Sequence, residues 1–144
     1  MKRTTLGLRT GVAAIALLAA IAAVPTTSAG PELWASIKTT ASCSLSGSDL
    51  TVTVGWVRIK EGTPDPIISR ETVTLEQRVD NQWVAAGTLF DGEFGGNPHD
   101  HTFTVAILEG ATSLRATVTL TVDNANPRRP QGTAHEARCD SKVL

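Results

Sequence analysis

His99 and His101 flank Asp100 in the segment GGNPHDHT, residues 95–102. On an extended chain, side chains two apart project to the same side. The two imidazoles therefore have the spacing of two ligands on one divalent ion. Asp91, Glu93, Asp100 and Asp65 offer carboxylates from neighbouring segments, and a zinc-like or copper-like site is one reading of the set. The parity of the segment favours another. His101 continues the face of Phe103, Val105 and Ile107, so it points at the rim of the core, where a histidine caps apolar side chains with a hydrogen bond. Pro98 is expected to hold His99 outside the strand. The favoured expectation is thus a solvated, core-capping strand end, with His99 and His101 kept as metal candidates.

Other chemistry is poorly provided for. A hydrolytic triad needs an activated nucleophile, a base and an orienting acid, and no strained turn of the G-x-S-x-G kind is present. Asp91 and Glu93 lie on a glycine-rich stretch and read as solvated acids, not as the paired acids of a sugar hydrolase. No glycine loop opens a helix to cradle phosphate. The expectation is a non-catalytic protein that needs no cofactor, with a hydrolase as the weakest alternative.

Two features suit recognition better. Arg128-Arg129, framed by Pro127 and Pro130, makes a stiff basic tip, and stiffness reduces the entropy lost on binding. Trp34, near the domain's N-terminus, is the tryptophan most expected to be exposed, and a surface tryptophan can stack on a sugar ring. Trp56 is expected in the core, and Trp83 over a sheet edge.

The N-terminus has the form of a secretory signal. Lys2, Arg3 and Arg9 precede an apolar run of roughly 14 residues, shorter than the ~20 a membrane span requires. Thr27-Ser28-Ala29 offers a cleavage site before Gly30. No cysteine follows the cut to carry a lipid, and no arginine pair marks a twin-arginine route. The reading is a signal peptide over 1–29 and one domain over 30–144, secreted, with a leader of bacterial style and no transmembrane anchor. Three of the 13 bases precede the cut and all 14 acids follow it, so the net charge moves from −1 to about −4. An acidic domain is a poor partner for nucleic acid, whose phosphates need a basic footprint.

Beyond residue 30 the pattern has period two, the mark of half-buried strands, and no helix signal. Strands are expected over 33–45, 50–60, 71–79, 82–90, 101–108, 114–123 and 133–140. In the third, Val73 and Leu75 face inward. In the sixth, Leu114, Ala116, Val118, Leu120 and Val122 alternate with Arg115, Thr117, Thr119, Thr121 and Asp123. Asp80-Asn81 forms a tight hairpin, since both tolerate positive φ. Loops at 61–69, 91–100 and 124–132 then share one pole and are long. Those at 46–49, 80–81 and 109–113 share the other and are short. Long loops on a rigid scaffold are where binding residues concentrate. Asp65, Asp91, Glu93, His99, His101, Arg128 and Arg129 are the candidate binding residues on that pole. The function expected first is a secreted interaction module that binds an extracellular protein or cell-envelope component. A small metal- or carbohydrate-binding protein is the alternative.

Cys43 and Cys139 are the only cysteines. In an exported chain two cysteines most simply form one disulfide, two free thiols being the alternative.

Seven short antiparallel strands in about 115 residues suggest a β-sandwich. VTLEQRVDNQWVAAGT (73–88) and EGATSLRATVTLTVDNA (109–125) resemble the third-strand hairpin and the sixth strand of immunoglobulin-like and fibronectin type III-like domains. The resemblance covers residues 31–142. The chain departs from it in having no tyrosine; Leu114 stands where one often opens the sixth strand. Ala116 stands where antibody-type domains place a cysteine. Cys43 and Trp56 imitate the antibody spacing, but the turn at 46–49 puts them on different strands. The resemblance implies that the first and last strands run side by side in parallel, with Cys43 and Cys139 at the same pole. The bridge would then clamp the terminal strands and protect a sheet edge.

Overall fold

Alternation of apolar and polar residues becomes seven strands in a computed structural model that describes residues 33–130 and 132–144. They are β1 (Ile37–Ser46), β2 (Asp49–Arg58), β3 (Ile68–Val79), β4 (Gln82–Gly92), β5 (His99–Thr104), β6 (Ala111–Val122) and β7 (Ala134–Lys142). The expected signal peptide and its cleavage point lie outside the described residues. Among those residues, no helix is long and apolar enough to cross a membrane.

The strands form two antiparallel sheets, ordered β1-β2-β5 and β4-β3-β6-β7. Their apolar faces meet in a sandwich-like arrangement. Leu50, Val52 and Val54 of the first sheet pack with Val73, Leu75, Leu114, Ala116, Val118 and Leu120 of the second. Each such side chain, removed from water, contributes about 1.5–3 kcal/mol to the gross driving force. The threonines of β6 alternate with this row and face outward, as expected. Asp80 and Asn81 take φ of 50° and 63°, the double positive-φ turn that matches strand twist.

Three sequence expectations are corrected. The fifth strand is not 101–108. It starts at His99, ends at Thr104, and leaves Ile107 half-exposed. The cause is Gln77, fully buried on β3: its Nε2 donates to the Ala106 carbonyl (2.7 Å) and its Oε1 accepts from the Leu108 amide (2.9 Å). Those backbone groups are thereby drawn away from strand pairing. Trp56 is only partly buried, packed against both apolar clusters. Finally, β1 and β7 do lie side by side, as expected, but share no hydrogen-bonded ladder. Each is the edge of a different sheet, and the Cys43–Cys139 disulfide, Cα–Cα 5.5 Å, links them across the layers.

The long loops do gather at one end. Asn124 accepts the Ile67 amide on Oδ1 (2.8 Å) and donates from Nδ2 to the Asp65 carbonyl (2.8 Å). Its own carbonyl accepts the Ala35 amide (2.9 Å). The 91–98 loop is held separately. The Trp56 amide donates to Asn97 Oδ1 (2.7 Å), and Asn97 Nδ2 donates to the Trp56 carbonyl (3.1 Å), so one side chain mimics a strand partner.

Candidate metal centre

The register of β2 with β5 sets the histidines. His99 lies opposite Val54, His101 opposite Val52 and Phe103 opposite Leu50. Val52 and Val54 are fully buried, so both imidazoles face inward. Pro98 does not keep His99 out of the strand, because the Asn97 clamp starts pairing at the next available residue. The inward pointing of His101 was legible from parity. The group it meets lies on the opposite sheet, far from it in sequence.

That group is Glu71, on β3 of the opposite sheet and 0% exposed. Its Oε2 lies 2.8 Å from His99 Nε2 and its Oε1 2.7 Å from His101 Nε2. The two Nε2 atoms are 3.2 Å apart. Among the described residues, Glu71, His99 and His101 are the one group of three such side chains with all ligand atoms within 4.8 Å of one another.

The hydrogen-bond chemistry of this cluster does not close by itself. His99 Nδ1 is 2.5 Å from the Gly96 carbonyl oxygen. A carbonyl only accepts, so Nδ1 carries the hydrogen and a neutral His99 presents a lone pair at Nε2. That lone pair faces a carboxylate oxygen, which also only accepts. His101 can donate from Nε2 to Oε1, but the His99–Glu71 contact still joins two acceptors. A buried carboxylate without compensation is strongly unfavourable. The contact closes if a proton sits between His99 Nε2 and Glu71 Oε2, carried by either partner, or if a metal ion lies there. The Gly96 carbonyl fixing the tautomer is the usual support behind a ligating histidine.

Aromatic rings wall the site. Phe94 meets His99 edge-on (centroids 5.1 Å), Phe90 lies against His101 (4.5 Å), and Phe103 stacks with His101 (5.5 Å). The imidazoles keep 14% and 19% exposure. Gly95 packs so closely that a Cβ there would lie 3.2 Å from His99 Cδ2.

The expected carboxylate ligands are engaged elsewhere. Asp91 forms a two-point pair with Arg70 on the surface (2.6 and 2.5 Å). The Arg70 guanidinium holds the Asp91 carboxyl below its ordinary range. Asp65 pairs with Arg58. Asp100 accepts from the Thr53 hydroxyl (2.6 Å) on the outward face. Glu93 is exposed on its loop, as are Arg128 and Arg129. A second feature of the long-loop end is a cleft of about 190 Å³ lined by Trp34, Ile59, Lys60, Asn126, Arg129 and His135. Trp34 is exposed, as expected.

Glu71 could have been found in the sequence. It shares the parity of Val73 and Leu75, so once those face inward it must as well. It reads as the polar start of a strand only if the strand is begun one residue before Thr72. In the structure the strand begins at Ile68, and Glu71 opens the buried row that Val73, Leu75 and Gln77 continue.

Compared with known proteins, the chain matches no family model, no curated protein and no solved structure.

Proposed function

We propose that the protein is an exported immunoglobulin-like β-sandwich that binds one divalent late-transition ion, zinc or copper in type, through Glu71, His99 and His101. The observation that carries this is His99 Nε2 held 2.8 Å from a fully buried carboxylate oxygen while its Nδ1 lies on the Gly96 carbonyl. Imidazole and carboxylate donors suit zinc and copper. No thiolate competes, since both cysteines form the disulfide. Donors around a tetrahedral zinc stand ~3.3 Å apart at the usual bond lengths, so the present spacings need to widen by only a few tenths of an ångström.

The fold reading rests on strand order. A three-stranded sheet facing a four-stranded one, with the fourth strand beside the third, departs from the constant-type immunoglobulin order. It therefore favours the fibronectin type III-like side of the resemblance. The inter-sheet disulfide supports an oxidising, extracellular destination.

The role of the ion follows from its place. Glu71 belongs to one sheet and the histidines to the other, so the ion joins the two layers. The disulfide joins them at the opposite edge. Equilibrium dialysis of the oxidised protein against zinc or copper, followed by elemental analysis, tests the reading. One ion per chain in the wild type, and none in Glu71→Gln or in His99→Ala/His101→Ala, is expected. A folded wild type that retains no ion would overturn it and leave a proton shared between His99 and Glu71.

A second reading, an interaction surface for an extracellular protein or envelope component, is favoured by one observation. Leu33, Trp34, Ile59 and Ile67 are all exposed at the long-loop end, beside Arg129. Solvent-exposed apolar side chains gathered at one end mark contact surfaces. Trp34→Ala should weaken capture of such a partner without changing ion content.

A further inference from the structure

We propose that the ion at Glu71, His99 and His101 keeps one coordination position open to solvent, and that this position takes a small monodentate inorganic anion in exchange for water. The inference rests on the metal reading above and specifies what that centre binds.

Three observations carry it. The first is the donor count. Three side chains reach the centre, and the nearby acids are turned away: Asp100 to Thr53 and Asp91 to Arg70. A zinc-like ion takes at least four ligands, and three protein ligands leave a position for water or an exogenous group.

The second is charge. A divalent ion with two neutral imidazoles and one carboxylate leaves a net single positive charge. The Phe90, Phe94 and Phe103 rings beside it offer little polar solvation, and a charge in such surroundings gains from a counter-charge more than it would in water. The vacancy therefore prefers an anion to a neutral donor.

The third is access. Glu71 is sealed, while the imidazoles remain 14% and 19% exposed, so the open side is the histidine side. The same three rings and the tightly packed Gly95 crowd it. The cleft lined by Trp34 and His135 involves neither histidine of the centre. With rings against both imidazoles, the open position is assigned to a ligand of a few atoms and not to a sugar or peptide.

The test uses the full-length protein, oxidised and loaded with cobalt(II) as a visible probe. Azide titration should shift the ligand-field bands to a one-to-one end point, and chloride or thiocyanate should compete. Phe94→Ala should retain cobalt and admit free imidazole, which the wild type excludes. Stoichiometric cobalt whose spectrum ignores azide would show a saturated, purely structural ion; this proposal would fall and the metal reading would stand. Failure to bind cobalt, zinc or copper would remove the metal reading and this proposal with it.

Discussion

A single backbone carbonyl decides the chemistry of His99. Gly96 fixes the hydrogen on Nδ1 and so aims a lone pair at Glu71. Because Glu71 has no solvent to fall back on, the three side chains act as a unit. Glu71→Gln should abolish ion retention. It should also cost the loaded protein the ion's own contribution in urea unfolding, about 2.7 kcal/mol at a hundred times the dissociation constant. A loss below 1 kcal/mol would mean the carboxylate is not paired with a cation. His135 offers an independent check on burial. Desolvation holds its imidazole below the ordinary value of 6.5, against the opposing pull of its bond to the Gly132 backbone. As pH falls below 6.5 the unfolded chain takes up a proton that the folded chain resists. The stability attached to neutral His135 is therefore fully present above pH 6.5 and declines below it. His135→Phe should flatten that part of the stability–pH curve relative to wild type. An unchanged slope would contradict the burial argument.

At the scale of elements, β5 is positioned from outside itself. Asn97 clamps its start to the Trp56 backbone, and Gln77 captures the chain just beyond its end. Gly55 leaves room for the first of these: a Cβ there would lie 2.9 Å from Asn97 Oδ1 and 3.0 Å from Thr40 Oγ1. Gly55→Ala should therefore displace Asn97, lower the melting temperature and weaken ion binding together. Unchanged ion affinity would show that β5 does not depend on the clamp. Such dependence explains what the sequence could and could not reveal. The alternation of β6 and the Asp80-Asn81 hairpin are local, and were legible. So was the inward parity of His101. The end of β5 was not, because it is set by a glutamine nearly 30 positions away. The sequence offers loop acids, Asp65, Asp91, Glu93 and Asp100, as the further ligand. The third ligand of the proposed site comes instead from a strand of the facing sheet, where only the parity of Glu71 with Val73 and Leu75 gave notice of it.

At the scale of the molecule, the disulfide holds the layers at one edge, and on the proposed metal reading an ion holds them at the other. The disulfide closes a loop of 96 residues, for which the chain-entropy model gives about 4–5 kcal/mol. Replacing both cysteines by serine should lower stability by up to that amount. The ion acts on the folded state, since the unfolded chain does not bring Glu71 to the histidines. Val52 pairs with both Cys43 and His101, so the two sites are one strand apart; contributions that add within about 0.5 kcal/mol in a combined variant would show that they act edge by edge. Strong coupling would mean that the layers are held jointly and not edge by edge.

Thermal unfolding of the oxidised protein, with chelator and with excess zinc, tests the metal centre most directly. An ion at a hundred times its dissociation constant stabilises the native state by about 2.7 kcal/mol, on the order of 10 °C for a domain of this size. The expected result is such a rise in the wild type and none in His99→Ala/His101→Ala or Glu71→Gln. An equal midpoint with and without zinc, copper and nickel in a folded wild type would contradict the account and assign the His99–Glu71 contact to a shared proton.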